Sequence, residues 1–249
     1  MLHLALALIA AVSAPTTIAE PVTPAPYVAT YAVNYRGLDA GLLHFELRAD
    51  KPDRFVYESH AEPGLLASII VSGNAVERSV MRIDASGVRP LSWFMDDGKP
   101  GQEDDGALAF AWDGERVSGT MEGERVELPT VPGLQDRLSF QIAVMTALLR
   151  AHEPGTIPMI DDGRIKQYSY TRAGTERLRT QAGEFETVLY ESTRPGSNRV
   201  TRVWHAPALG YIPVRAEYLR KGMVETVMEV IRVERGEVRL QPLLLQKSS

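Results

Sequence analysis

His44 and Glu46 stand two residues apart in a stretch of alternating polarity. On a strand both side chains leave the same face, as a pair of metal ligands would. No third or fourth ligand follows at a metal-site spacing, and the chain has no Cys. Neither a closed zinc site nor thiolate chemistry is therefore expected. The acidic run Asp96-Asp97 with Glu103-Asp104-Asp105 is dense enough to attract Ca²⁺ weakly. It lacks the alternating order of a calcium loop and reads as a solvated turn. Ser68, Ser72 and Ser139 lie in Ala-Ser-Ile, Val-Ser-Gly and Leu-Ser-Phe settings. None has the strained Gly-x-Ser-x-Gly elbow or a Ser-x-x-Lys partner, so acyl-transfer chemistry has no candidate. Gly37-Leu-Asp-Ala-Gly41 lacks the Lys-Ser/Thr ending of a phosphate loop. Catalytic, metal and cofactor residues are thus expected to be none. A glycosidase using two facing carboxylates stays open, because 32 Asp and Glu are available.

Binding is easier to place than catalysis. The aromatic set Tyr27, Tyr31, Tyr35, Trp93, Trp112, Trp204 and Tyr211 is rich enough to line an apolar cavity. From it Tyr31, Tyr35, Trp93 and Trp204 are taken as candidate ligand-binding residues, with Asp136 as the polar member. Asp136-Arg137-Leu138-Ser139 also fits a helix start, the Asp capping free amides and the Arg reaching a neighbouring sheet. The partners expected are a lipid or an envelope protein. Nucleic acid is not expected, because the basic residues form no concentrated stripe.

The elements that must position these residues are mostly strands. Tyr27, Ala29, Tyr31, Val33 and Tyr35 alternate with Val28, Thr30, Ala32 and Asn34, a period of two. The same pattern predicts strands over 42–49, 55–61, 107–112, 116–121 and 125–128. It resumes over 166–172, 176–180, 185–192, 200–206, 212–220 and 224–233. Asp97-Gly98, Asp105-Gly106, Asp113-Gly114, Glu122-Gly123 and Asp162-Gly163 each predict a tight turn with glycine at positive φ. One segment breaks the rhythm: Gln135 to Arg150 repeats Leu138, Ile142, Met145 and Leu149 at helical spacing, widened by Phe140, Val144 and Leu148. A helix apolar over most of its girth must be enclosed. The expected fold class is therefore mainly β: about a dozen antiparallel strands in a curved sheet, a partly open barrel or β-roll, wrapped around one central α-helix.

Leu2 to Ala14 is apolar apart from His3 and Ser13, too short for the roughly 20 residues that span a bilayer. Thr17 and Ala19 supply small residues before a cut, and three prolines follow by Pro26. The expected organisation is a signal peptide over 1–19, a linker over 20–26, a single β-rich domain over 27–240 and a C-terminal tail over 241–249. The processed protein would be periplasmic or held at the outer-membrane face, with no membrane-spanning segment. Net charge is −5, with 12 Lys and Arg against 20 Asp and Glu over 20–150, and 15 against 12 over 151–249. That asymmetry fits complementary surfaces within one molecule.

Two stretches repeat. Tyr57-Glu58-Ser59 recurs as Tyr190-Glu191-Ser192, and Val80 to Leu91 aligns without gaps on Val203 to Val214, sharing the Gly-x-x-Pro frame. If the match reflects duplication, β-units of one kind flank the helix. The ordered motifs Tyr-Ala-Val-x-Tyr with Gly37 and Gly41, Gly-Val-Arg-Pro-Leu, Gln-Asp-Arg-Leu-Ser, Asp-Gly-Arg, Val-Trp-His-Ala and Tyr-Ile-Pro-Val-Arg resemble the bacterial DUF3108 family over Tyr27 to Val233. The resemblance implies a secreted, envelope-associated protein of unknown function and carries no catalytic residues. The leading expectation is a non-enzymatic binder of an apolar or glycolipid-like ligand. A structural or interaction module with a filled core, and a carbohydrate-active enzyme, are the alternatives.

Overall fold

Alternation of side chains becomes one continuous antiparallel ladder in the computed structural model, which describes residues 22–64, 73, 75–101 and 105–236. The expected signal peptide over 1–19 and the tail over 241–249 lie outside the described residues. The strands are β1 (Tyr27–Tyr35), β2 (Leu38–Lys51), β3 (Arg54–Pro63), β4 (Val76–Asp84), β5 (Gly87–Asp96), β6 (Gly106–Ala111), β7 (Arg116–Met121) and β8 (Glu124–Pro129). After the helix α1 (Ser139–Leu149) come β9 (Gly155–Asp161), β10 (Arg164–Thr180), β11 (Gly183–Thr193), β12 (Arg199–Ala206), β13 (Ile212–Arg220) and β14 (Met223–Arg235). All fourteen described strands form one open sheet ordered β8-β7-β6-β5-β4-β3-β2-β1-β14-β13-β12-β11-β10-β9. The fold is thus mainly β with one helix, as the alternation implies.

Turn chemistry explains the meander. Arg36-Gly37, Glu122-Gly123, Asp162-Gly163 and Lys221-Gly222 each place both residues at positive φ, the mirror-image turn whose twist suits adjoining strands. Two expected turns differ. Gly106 lies inside β6 and Gly114 is not at positive φ. What Gly106 supplies is room: an added Cβ would sit 2.6 Å from the Trp93 ring. The expected segments 166–172 and 176–180 fuse into the single 17-residue β10. A register shift between Arg172 and Gly174 absorbs the break in pattern. The two repeat copies over 80–91 and 203–214 fall on the β4–β5 and β12–β13 hairpins.

The helix is shorter than Gln135 to Arg150, because residues before Ser139 do other work. Gln135 donates its backbone N–H to the Pro158 carbonyl and accepts from the Ile160 N–H, a parallel bridge onto the free edge of β9. Its side-chain amide donates to the Val88 carbonyl at 2.9 Å. This short bridge, with Trp93, Met121, Val126, Leu134 and Ile160 packed in one cluster, joins the two ends of the open sheet. From Asp136 onward the backbone turns helical, and none of the residues Ser139 to Leu149 is exposed. Leu138, Ile142 and Met145 pack with Tyr27, Leu47, Tyr57 and Met81. Phe140, Val144 and Leu148 pack with Ile157, Tyr170, Tyr190 and Val203. The first of these clusters also takes in Trp204, Ile212, Val214 and Val230, so α1 packs on strands from both sides of the β1–β14 pair. At its far end Arg150 donates to the carbonyls of Val22, Asp84 and Ala85, pinning the helix to the β4–β5 turn.

Candidate functional site

Two concavities flank the start of α1. The larger, about 560 Å³, lies between Phe140 and Val144 of the helix and the inward faces of β9 to β13. The smaller, about 400 Å³, lies toward β2 to β5 and is lined by Phe45, Tyr57, Met95, Leu138 and Met228. Arg137, Gln141 and Tyr218 line both, so the two meet at the N-terminal turn of the helix. Volumes of this size suit small-molecule ligands.

Strand register grades the larger cleft from apolar to cationic. Val203 faces Ala216 across β12 and β13, Thr201 faces Tyr218, and Arg199 faces Arg220. Arg194, in the turn between β11 and β12, joins the mouth. Deep in the cleft the Tyr170 ring meets Phe140 edge-on and is backed by the Tyr190 ring, stacked on it at 5.1 Å between centroids. Tyr218 is recessed in the concavity yet 45% exposed to its open space. Crowding by protein and then the Glu77 charge push its phenol upward.

The deep wall carries one polar knot. His205 is 1% exposed, its Nδ1 lies 2.8 Å from the Tyr211 carbonyl, and its Nε2 lies 2.6 Å from the Tyr170 hydroxyl. A carbonyl can only accept, so Nδ1 carries the proton and Nε2 accepts from Tyr170. Burial pushes the imidazole down to about 4, against the lift from the Tyr211 carbonyl. His205 is therefore neutral at pH 7. Its hydroxyl partner, Tyr170, is raised by burial and by Tyr190.

Asp136 is a buried cap. Its Oδ1 accepts from the amides of Leu138 and Ser139 at 2.9 and 2.7 Å, and its Oδ2 accepts from Ser79 Oγ at 2.7 Å. Ser139 Oγ returns the favour by accepting from the Asp136 N–H at 2.9 Å, a reciprocal capping arrangement. Burial pushes the carboxyl up to about 6, against the amide and Ser79 hydrogen bonds, with Glu77 adding to the rise. The adjacent Arg137 spans to the sheet, pairing with Glu77 at 3.2 Å and Glu122 at 3.5 Å. Its guanidinium stacks over the Trp93 ring at 4.9 Å, while Trp93 Nε1 donates to Glu77 at 2.7 Å.

Of the five residues singled out from sequence, Trp93 and Asp136 come together around the helix start, joined through Arg137, which stacks on Trp93 and pairs with Glu77. Tyr31 is 4% exposed, its hydroxyl bonded to the Pro213 carbonyl. Trp204 is 6% exposed, its Nε1 bonded to Glu176 and Arg215 lying over its ring at 5.7 Å. Alternation along β12 turns Trp204 away from the face on which Val203 and His205 line the cleft. Tyr35 is 45% exposed at the end of β1, under Arg36. None of the five lines either concavity. The residues that do, among them Arg199, Arg220 and Tyr218, carried no signal of their own in the sequence. Tyr168 and Tyr170, spaced by two, carried a faint one.

His44 points outward, its ring nitrogens near Thr30 Oγ1 and Glu62. Glu46 faces Glu58 across β2 and β3, and burial raises its carboxyl. Among the described residues, Asp96, Asp97 and Asp105 are the group whose carboxylates converge, within 4.8 Å of one another. Asp97 is paired with Lys99, and the Asp96 and Asp105 carboxylates accept from the Gly98 and Asp97 amides.

The family model described as "Protein of unknown function (DUF3108)" matches residues 30–228. No curated protein matches the sequence. Among solved structures, the chain is similar to a β-barrel-like protein of domain of unknown function DUF1849 from Brucella abortus. That likeness has TM-score 0.53 at 8% identity, covering 87% of this chain and all (100%) of the other. A candidate lipoprotein from Parabacteroides distasonis follows at TM-score 0.37 and 11% identity, covering 85% of this chain and 96% of that one. The MucA/MucB complex of Pseudomonas aeruginosa gives TM-score 0.30 at 10% identity, over 87% of this chain and 53% of that one. The Brucella structure supports the barrel-like fold and nothing finer.

Proposed function

This chain belongs to the DUF3108 family of proteins of unknown function, and from that premise we propose that it is an envelope protein holding an amphipathic, glycolipid-like ligand beside α1 without catalysis. The observation that carries the reading is the larger cleft, whose floor of Phe140, Val144, Tyr170 and Val203 gives way to Arg194, Arg199 and Arg220 at its mouth. An apolar chain would lie along the floor and an anionic or polyhydroxyl head would meet the guanidinium groups. On this reading the sheet curves about α1, and the helix is one wall of the cleft. Trp93 and Asp136 act from behind that wall by holding Arg137, while Tyr31 and Trp204 stiffen the surrounding strands. The chain is made with residues 1–19 as an export signal and works in the periplasm as one domain.

The cleft's carboxylates fit holding better than hydrolysis. Burial alone would lift Asp161, but hydrogen bonds from Lys166 and Tyr168 outweigh it and keep the carboxyl below the usual range. Lys166 also pairs with Asp162. A general acid needs the opposite environment.

Native mass spectrometry of the protein purified gently from the periplasm of its own cells tests the reading, with bound molecules extracted and identified. A copurifying species bearing an acyl chain is expected. A protein of bare mass, unable to take up lauric acid or lauryl maltoside, overturns it.

A further inference from the structure

Three hairpin ends lie side by side on one rim. The Arg36 N–H donates to the Glu225 carbonyl, linking the β1–β2 turn to β14, and the Lys221 N–H donates to the Asn198 carbonyl, linking the β13–β14 turn to the β11–β12 loop. Arg199 lies directly opposite Arg220. Like charges opposed across strands cost stability, and the one carboxylate near both, Glu225, is already hydrogen-bonded to Arg36, which leaves the pair short of negative charge.

Two features of this rim are unusual together. Tyr35 and Leu38 are 45% and 59% exposed, and Met223 and Val224 on the neighbouring turn are 69% and 43% exposed. These are most of the large apolar side chains that the described residues leave in solvent. Around them stand Arg36, Arg194, Arg199, Arg220 and Lys221, against Asp39 and Glu225. Glu225 is in direct contact with Arg36 and also feels Arg199 and Arg220 at longer range, whereas Arg194, Arg199, Arg220 and Lys221 make no close ion pair among the described residues, so cations outnumber carboxylates here. Apolar tips ringed by an excess of cations are the composition of an interfacial anchor, the apolar groups entering the acyl boundary and the cations meeting phosphates.

We infer that this rim docks on a lipid surface carrying anionic headgroups. The inference goes beyond the ligand reading and does not require a filled cleft. It places the mouth of the larger cleft, where Arg194, Arg199 and Arg220 sit, against the membrane, so that a ligand passes between bilayer and cleft without crossing water.

Cosedimentation with large vesicles tests it, using protein isolated from its producing cells and an identical N-terminus throughout. Vesicles of phosphatidylethanolamine with phosphatidylglycerol should retain the protein, and vesicles of phosphatidylcholine should not. Raising salt should release it. The triple variant Arg194→Gln, Arg199→Gln, Lys221→Gln should bind about a hundredfold more weakly, each cation near an anionic surface accounting for roughly fivefold. Leu38→Ser with Met223→Ser should weaken binding by roughly tenfold or more, through lost apolar insertion. Leu38, Arg199, Lys221 and Met223 are exposed and Arg194 is half-buried, and circular dichroism verifies that each variant keeps its fold. Equal binding by wild type and both variants overturns the inference. So does absence of binding to either vesicle, which would turn the rim toward an acidic protein surface instead.

Discussion

Replacing Asp136 with Asn should make the protein more acid-sensitive than the wild type. Two buried groups titrate in opposite directions across the same range. Asp136 is raised from 3.8 to about 6 in the fold, so the folded state binds the proton more tightly. Its contribution is favourable at acidic pH and is lost as pH climbs through about 6. His205 is lowered from 6.5 to about 4, so the unfolded state binds its proton more tightly. Its contribution is intact above about 6.5 and is lost as pH falls toward 4. Between pH 7 and pH 4, linkage with these values gives about 2 kcal/mol gained from Asp136 and about 3 kcal/mol lost from His205. The two nearly cancel. Asn keeps a carbonyl oxygen for the Leu138 and Ser139 amides, so the cap survives while the titration disappears. Urea unfolding followed by tryptophan fluorescence at pH 4, 5, 6 and 7 measures the effect. The Asn variant should lose about 2 kcal/mol more than wild type over that interval, and the comparison subtracts every other carboxylate. A variant whose stability parallels wild type at all four pH values would refute the assignment of a raised, buried carboxyl at the helix start.

Three further outcomes are expected. Gly106→Ala should cost about 1–3 kcal/mol, because its methyl would press on the Trp93 ring; thermal unfolding and a shift in tryptophan emission report it. Tyr170→Phe leaves His205 Nε2 buried without its donor, a loss of about 1–3 kcal/mol measurable by urea titration. Thr201→Trp, on the cleft wall opposite Tyr218, should abolish uptake of a lauryl-chain probe in fluorescence titration while the unfolding midpoint changes little; retained uptake would place the chain elsewhere.

What sequence disclosed and what it hid have a common physical cause. Period-two alternation and Gly-containing turns are local signals, so β1, β7 and β13 end where residue types say they should, while β2 and β10 run well past the expected bounds and β9 was not expected. Helical spacing announced α1, but Gln135 satisfies the same pattern while its backbone bridges β9. Only a partner distant in sequence decides between those uses. Aromatic residues drew attention as ligand contacts, yet Tyr31, Trp93 and Trp204 each place a polar edge on a protein acceptor and their area in the core. Arg199 and Arg220 became a pair through register alone. A cationic mouth made of strand ends contributed by separate hairpins leaves no contiguous motif to read.

The sheet's centre is built from the chain's two extremities, since β1 lies beside β14 with Tyr27 opposite Arg235. During synthesis, β1 to β8 can pair with one another in turn, but the second edge of β1 stays open until β14, the last of the described strands, emerges. Such distant pairing slows folding and makes it conditional on the whole polypeptide being present. The same adjacency makes a circular permutant, with its old ends spliced and a new opening cut at a surface turn, the natural way to uncouple order of emergence from final form.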